Sequence, residues 1–247
     1  MSDTQFNLPT EIIELPSKGL LYPEGHPLAE GKVEIKYMTA KEEDILTNQN
    51  YIKNGSVIDR LLQSLIVTKF NYDDLLVGDK NAIMIAARIL AYGAKYEVTY
   101  GGTTQEINLA QLENKEIDES LFTEKTNSFS FTLPHTKNEI TFKLLTGHDE
   151  KKIESELKSL KKISKTTSAE VTTRLIHTIT SVNGSSEKKD IREFVNNFFL
   201  AKDVREFRNY YSQVTPDVDM DVELIDSDGE DNTIKLPIEL GFFWPDS

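Results

Sequence analysis

The side chains that could do chemistry are few and scattered. The four histidines are His26, His135, His148 and His177. No two stand at the i,i+4 or short-loop spacing of a zinc site, and there is no cysteine to complete one or to build a disulfide framework. Only at His148-Asp149-Glu150 does a histidine adjoin carboxylates. It falls at a predicted helix start, where acids favour the positive end of the helix dipole, so capping is the expected role. The rival reading is a hydrolase using Asp149 and Glu150. It requires a concave pocket and shifted carboxylate pKa values. There is no Gly-x-Ser-x-Gly elbow and no Gly-rich phosphate loop; Gly101-Gly102 reads as a hairpin turn. Asp226-Ser227-Asp228-Gly229-Glu230-Asp231 has the composition of a calcium loop but lacks its spacing and its closing glutamate. The expectation is no enzyme activity, no catalytic residues, no metal and no cofactor.

The remaining chemistry suits protein partners. Residues 217–231 hold Asp217, Asp219, Asp221, Glu223, Asp226, Asp228, Glu230 and Asp231, with no basic residue among them. Up to Leu224 the acids alternate with Val218, Met220 and Val222, the pattern of a strand with one acidic, solvent-facing side. Such a side discourages edge-to-edge aggregation, and it can also attract a basic protein surface. The end of the chain, Leu240-Gly241-Phe242-Phe243-Trp244-Pro245, is its most aromatic stretch and holds the only tryptophan. It either tucks back onto the core or anchors a partner. The candidate partner-binding residues are therefore Phe242, Phe243, Trp244, Asp217, Asp219 and Asp221. The basic cluster Lys151, Lys152, Lys158, Lys161, Lys162 and Lys165 is interleaved with Glu150, Glu154 and Glu156, and reads as a solvated helix with i,i+4 ion pairs.

The elements that must position these residues fit a chain able to bury a core: 247 residues, 38% hydrophobic and 28% charged. The net charge of −13 repels a phosphate backbone, so nucleic acid is not an expected partner. No run of about 18 apolar residues suggests a membrane span, and the polar N-terminus does not read as a signal peptide. The absence of cysteine is compatible with the cytosol.

In chain order, residues 1–11 read as a loose polar arm, followed by the apolar run Ile12 to Leu15 stopped by Pro16. Val33, Ile35 and Tyr37 alternate as a half-buried strand. Thr39 with Glu42 fits a capping box, so a helix is predicted from Ala40. Val57, Ile58, Leu61, Leu62, Leu65 and Ile66 share one helix face. Asp79 is placed to cap a further helix that stops at Gly93. Tyr96, Val98 and Tyr100, then Ile107 and Leu109, flank the Gly101-Gly102 turn of a hairpin. Residues 113–127 read as a connector, with Leu121-Phe122 its apolar exception.

The order then recurs. Phe129, Phe131 and Leu133-Pro134 take the place of Ile13 and Leu15-Pro16. Ile140, Phe142, Leu144, Thr146 and Asp149 repeat Val33, Ile35, Tyr37, Thr39 and Glu42 at an offset of 107. Val171, Arg174 and Leu175 repeat Val57, Arg60 and Leu61 at 114, and Asp203 and Phe207 repeat Asp79 and Ile83 at 124. Met220, Val222 and Leu224 repeat Tyr96, Val98 and Tyr100 at 124, and Ile234 and Leu236 repeat Ile107 and Leu109 at 127. The offset grows only between predicted elements, as insertions into loops of a duplicated unit would make it. The small Ala86 and Ala87 correspond to Tyr210 and Tyr211, so the two cores differ in volume. The expected architecture is α+β: two related units from an internal duplication, each with short strands, a few helices and a hairpin. Residues 1–112 form the first unit, 113–127 the connector and 128–247 the second unit with the aromatic tail.

A family resemblance takes the reading further. Glu14-Leu15-Pro16-Ser17-Lys18-Gly19 followed by Tyr22-Pro23, then Gly31-Lys32-Val33-Glu34-Ile35 and Glu42-Glu43-Asp44-Ile45-Leu46, resemble the baseplate proteins of T4-like bacteriophages. The closing Phe242-Phe243-Trp244-Pro245 does so too, and the likeness runs from residue 12 to the end. The resemblance implies a baseplate hub assembly protein, needed to build the central hub of a contractile tail. Such a protein would chaperone hub or tape-measure proteins in the host cytoplasm during assembly. The alternative it implies is a permanent structural subunit of the hub in the virion tail baseplate; both roles need large protein interfaces. Some relatives carry cysteine pairs in hairpins at the positions of Tyr100 to Thr103 and Asp226 to Glu230, as in zinc ribbons. This chain carries none, so metal-dependent folding does not transfer to it.

Overall fold

The computed structural model of the chain describes residues 8–122, 125–163, 169–238 and 240–243. The N-terminal half opens with strand β1 (Thr10–Glu14) antiparallel to β2 (Lys32–Lys36), with Ile12 opposite Glu34. Strand pairing thus begins within the stretch expected to be a loose arm, because Thr10 and Glu11 face Lys36 and Ile35. The loop between the strands is not loose either: Leu15, Ser17, Leu21, Tyr22 and Leu28 are all buried. Gly19 makes its tight course possible, since it takes φ +78° and a Cβ there would lie 2.3 Å from the Ala29 carbonyl oxygen.

Three short helices follow: α1 (Ala40–Leu46), α2 (Gln49–Lys53) and α3 (Val57–Leu65). Helix α3 buries Val57, Leu61, Leu62 and Leu65, the face read from the sequence. Ile66 then bridges back to Ile35 of β2. After the 3-10 turn Tyr72–Asp74 comes the long helix α4 (Val77–Tyr92), stopped at Gly93 with φ +86°. The helix starts earlier than its capping signal suggested. Leu76 is the N-cap, and Asp79 stands in the first turn with its carboxylate aimed away from the helix, at residues far off in sequence. The hairpin β3 (Lys95–Tyr100) and β4 (Thr103–Asn108) turns at Gly101-Gly102. The 3-10 turn Leu109–Gln111 follows the hairpin, and the connector holds the 3-10 turn Glu119–Phe122.

The C-terminal half opens with β5 (Phe129–Thr132) and β6 (Glu139–Phe142), followed by α5 (Gly147–Ile163) and α6 (Glu170–Thr178). The chain leaves α6 directly into β7 (Ile179–Val182), the third strand of a β5-β6-β7 sheet. Neither β7 nor helix α7 (Lys188–Asn197) was apparent from the pattern, since no breaker separates β7 from the helix before it. Helix α8 (Ala201–Val214), the hairpin β8 (Asp221–Ile225) and β9 (Asp231–Lys235), and the 3-10 turn Leu240–Phe243 complete the chain. Helices and small antiparallel sheets in this order make an α+β protein.

Two kinds of polar bond are found in both halves of the chain. Glu42 accepts the Thr39 amide (2.9 Å) and Lys36 Nζ (2.8 Å); Asp149 accepts the Thr146 amide (3.2 Å) and Lys143 Nζ (2.6 Å). Asp79 accepts the Ser17 amide at 2.9 Å, and Asp203 accepts the His135 amide at 2.9 Å. In each half, then, a carboxylate in the first turn of one helix (α4 or α8) pins the loop after the first strand, and a second pins the turn from strand to helix (α1 or α5).

One continuous hydrophobic cluster runs through both halves. They join where Leu76 bridges Thr146, with the Val77 amide donating to the Leu145 carbonyl (3.2 Å) and the Gly147 amide to the Leu75 carbonyl (2.9 Å). The start of α4 also presses on residue 216: a Cβ on Gly78 would lie 1.9 Å from the Pro216 carbonyl oxygen.

Candidate functional site

The acidic stretch is positioned by two backbone pairings. Its first part runs beside the connector: Asn114 bridges Val218, the Lys115 amide donates to the Asp217 carbonyl (2.8 Å) and the Asp219 amide to the Glu113 carbonyl (2.7 Å). Its second part is β8, paired with β9 through Asp221 opposite Lys235. Val218, Met220 and Leu224 turn inward and are buried, which leaves Asp219, Asp221 and Glu223 exposed on the outer side. Asp217 faces another way: its carboxylate accepts from Asn81 Nδ2 of α4 at 2.9 Å. The two hairpins brace each other. Gln105 donates from Nε2 to the Ile225 carbonyl (2.7 Å) and accepts the Ile225 amide (3.1 Å), while the Ser227 amide donates to the Gly101 carbonyl (3.3 Å). The exposed acids therefore sit on a fixed edge.

At the tip, the Asp226 carboxylate accepts the amides of Asp228 (2.9 Å) and Glu230 (3.0 Å) and the Asn232 side chain (3.0 Å). Above all the Glu230 amide holds its carboxyl below the usual range. The calcium-like composition is thus spent on a turn. Among the described residues no three His, Cys, Asp or Glu side chains are arranged to hold a metal ion.

The aromatic tail returns to the N-terminal half. Phe242 and Phe243 are fully buried, with ring centroids 5.5 Å apart, and Phe242 lies 5.1 Å from the Tyr96 ring. Arg88, itself buried, donates from Nε to the Phe242 carbonyl (2.9 Å) and from Nη1 to the Gly93 carbonyl (3.0 Å). The aromatic surface of both phenylalanines is already used inside the chain. Trp244 lies outside the described residues, as does Lys165 of the basic cluster.

The carboxylates offered for hydrolysis are engaged in bracing. Burial pushes the Asp149 carboxyl up, but Lys143 and Thr146 outweigh it and hold it below the ordinary range. Glu150 makes a two-pronged pair with Arg174 (2.8 and 3.1 Å). Glu42 follows the same logic more strongly. Burial opposes its charge, yet bonds from Lys36, Thr39 and Ser64 bring its pKa from 4.5 to about 2. Of the histidines, His148 is exposed, His177 bonds Glu156 at 2.9 Å, and His26 stacks on Tyr22 with centroids 5.0 Å apart.

A second surface feature was not read from the sequence. Between α6, the end of α7 and the start of α8 runs an open groove of about 670 Å³ lined by Val171, Leu175, Phe199, Val204, Arg205 and Arg208. Phe198 and Leu200, at the helix junction beside it, are exposed. The signal was present as Phe198-Phe199-Leu200, three large apolar residues in succession.

A family model described as T4 bacteriophage base plate protein matches residues 9–244. No curated protein and no solved structure matches.

Proposed function

The chain belongs to the T4 bacteriophage base plate protein family, and from that premise we propose that it is a baseplate hub assembly factor. It acts by protein–protein contact rather than catalysis, as a chaperone for hub or tape-measure proteins in the host cytoplasm. The observation that carries this reading is the braced acidic edge. Asp219, Asp221 and Glu223 project from a stretch whose backbone pairs first with the connector and then with β9. A rigid row of like charge attracts a basic surface and sets its orientation, while contributing little to irreversible burial. That suits a factor that must hold a tail protein and later release it, as the closing hub takes over the same surface.

Co-expression with the hub and tape-measure proteins of the same phage tests this. Affinity capture of the wild-type chain retains at least one of them. Reversing the edge with Asp219→Lys, Asp221→Lys and Glu223→Lys abolishes capture and leaves the circular dichroism spectrum unchanged, because all three side chains are exposed. Capture of neither component by the wild type ends the chaperone reading.

A further inference from the structure

The contact that joins the halves has two sides, and each side occurs in the chain a second time. One side is the start of α4, with Leu76 as N-cap at φ −65° and ψ 147°. Its counterpart is the start of α8, with Leu200 as N-cap at φ −60° and ψ 141°. The other side is the turn Leu145-Thr146-Gly147, braced by Lys143 and Asp149. Its counterpart is Met38-Thr39-Ala40, braced by Lys36 and Glu42.

Within the chain only the first pair is joined. Leu76, under the Thr146 turn, is 4% exposed, whereas Leu200 is 51% exposed. Val57 of α3 is 4% exposed and its counterpart Val171 is 52%. Thr39 and Ala40 are exposed as well. Among the described residues, the Ala201 amide and Phe199 carbonyl have no counterpart of the bonds made by Val77 and Leu75. The same holds for the Met38 carbonyl and the Ala40 amide, which match the groups of Leu145 and Gly147.

We propose that these two uncovered faces bind each other between copies of the chain, head to tail. Thr39 of one copy bridges Leu200 of the next. The Ala201 amide donates to the Met38 carbonyl, and the Ala40 amide donates to the Phe199 carbonyl. The charges agree with this pairing: the turn brings exposed Glu43 and Asp44 to a groove lined by the exposed Arg205 and Arg208. One difference bounds the contact. Lys202 stands where Gly78 lets residue 216 approach α4, so the contact between copies ends at the turn and the first part of α1. Because the faces differ, the contact is heterologous and propagates into a closed ring or an open filament. It concerns the chain's own assembly and stands whether or not the protein chaperones hub components.

Sedimentation of the full chain over a concentration series tests the proposal. Ala40→Pro and Ala201→Pro each remove one donor at the first position of a helix, where proline is tolerated and where the preceding residue is already extended. Leu200→Asp places a charge on an exposed position and does not depend on proline being accepted. The wild type gains mass with concentration, and each variant stays at the mass of one chain. An equimolar mixture of Leu200→Asp and Ala40→Pro retains one good face of each kind, so it forms two-chain species and no larger ones. A wild type that remains one chain at its highest soluble concentration overturns the proposal. So do variants that associate as the wild type does, or a mixture that fails to pair.

Discussion

Asp79 and Asp203 each stand three residues after a leucine N-cap and each accept a backbone amide from a distant loop, yet their surroundings tune them in opposite directions. Burial pushes the Asp79 carboxyl up despite bonds from Ser17 and Tyr22, and the nearby Asp217 adds to the effect. For Asp203 burial also acts upward, but bonds from His135 and Thr136 outweigh it and hold the carboxyl low. The difference follows from location. Asp79 lies at the seam of the halves with buried partners, Ser17 and Tyr22, whereas Asp203 answers to His135 and Thr136 on a partly exposed loop. The packing diverges likewise. In the C-terminal half Phe131, Phe142, Phe207, Tyr210 and Tyr211 stack on one another, while the N-terminal half is filled by aliphatic residues such as Leu28, Ile35, Leu61 and Ile83. The polar braces recur; the side chains packed around them need only fill their own volume.

The largest expected effect separates the braces themselves. Asp79→Ala strands three buried donors and costs about 4 kcal/mol, whereas Asp203→Ala costs about 2 kcal/mol because His135 and Thr136 can turn to water. Urea unfolding of both variants measures this, and equal losses would break the comparison. Acid sharpens it. Asp79 is raised in the fold, so its contribution is full in acid and is lost as pH rises through its folded value; Asp203 is lowered, so its contribution is lost as pH falls. Asp79→Asn therefore costs more at about pH 4 than at about pH 7, and Asp203→Asn the reverse.

Next in size, Glu42→Gln costs about 3 kcal/mol near neutral pH, since it leaves Lys36 and Ser64 facing a neutral amide. With a folded pKa of about 2 against 4.5, the stability tied to Glu42 is complete above its ordinary range and drains as pH falls toward 2. Its counterpart Asp149→Asn costs about 2 kcal/mol, having one fewer side-chain partner. Arg88→Met costs about 2 kcal/mol, read by urea unfolding, because the Phe242 carbonyl loses its donor. Smallest is Glu154→Ala, which breaks the exposed pair with Lys158 and shifts the denaturation midpoint by no more than about 0.5 kcal/mol allows.

What was legible in the sequence was local. The Thr39–Glu42 brace, the face of α3, the Gly93 stop and the Gly101-Gly102 hairpin each rest on residues a few positions apart, where spacing dictates contact. What was hidden depends on residues far apart. Asp79 looked like a cap because its bonds to Ser17 and Tyr22 span 62 and 57 positions. Strand β7 hid behind the helix that runs into it, and its place in the sheet is set by pairing with β6. Of the acids read as one stripe, the strand period placed Asp219 and Asp221 outward, but Asp217 was claimed by Asn81, 136 positions away. Whether Phe242 and Phe243 lay inside or outside depended on a buried arginine in the other half.

The assembly-factor reading is tested most directly by quantitative mass spectrometry of purified mature virions beside assembly intermediates from the same lysate. It predicts the chain in the intermediates and its absence from virions. A fixed stoichiometric copy number in mature virions contradicts it and makes the protein a permanent subunit of the hub.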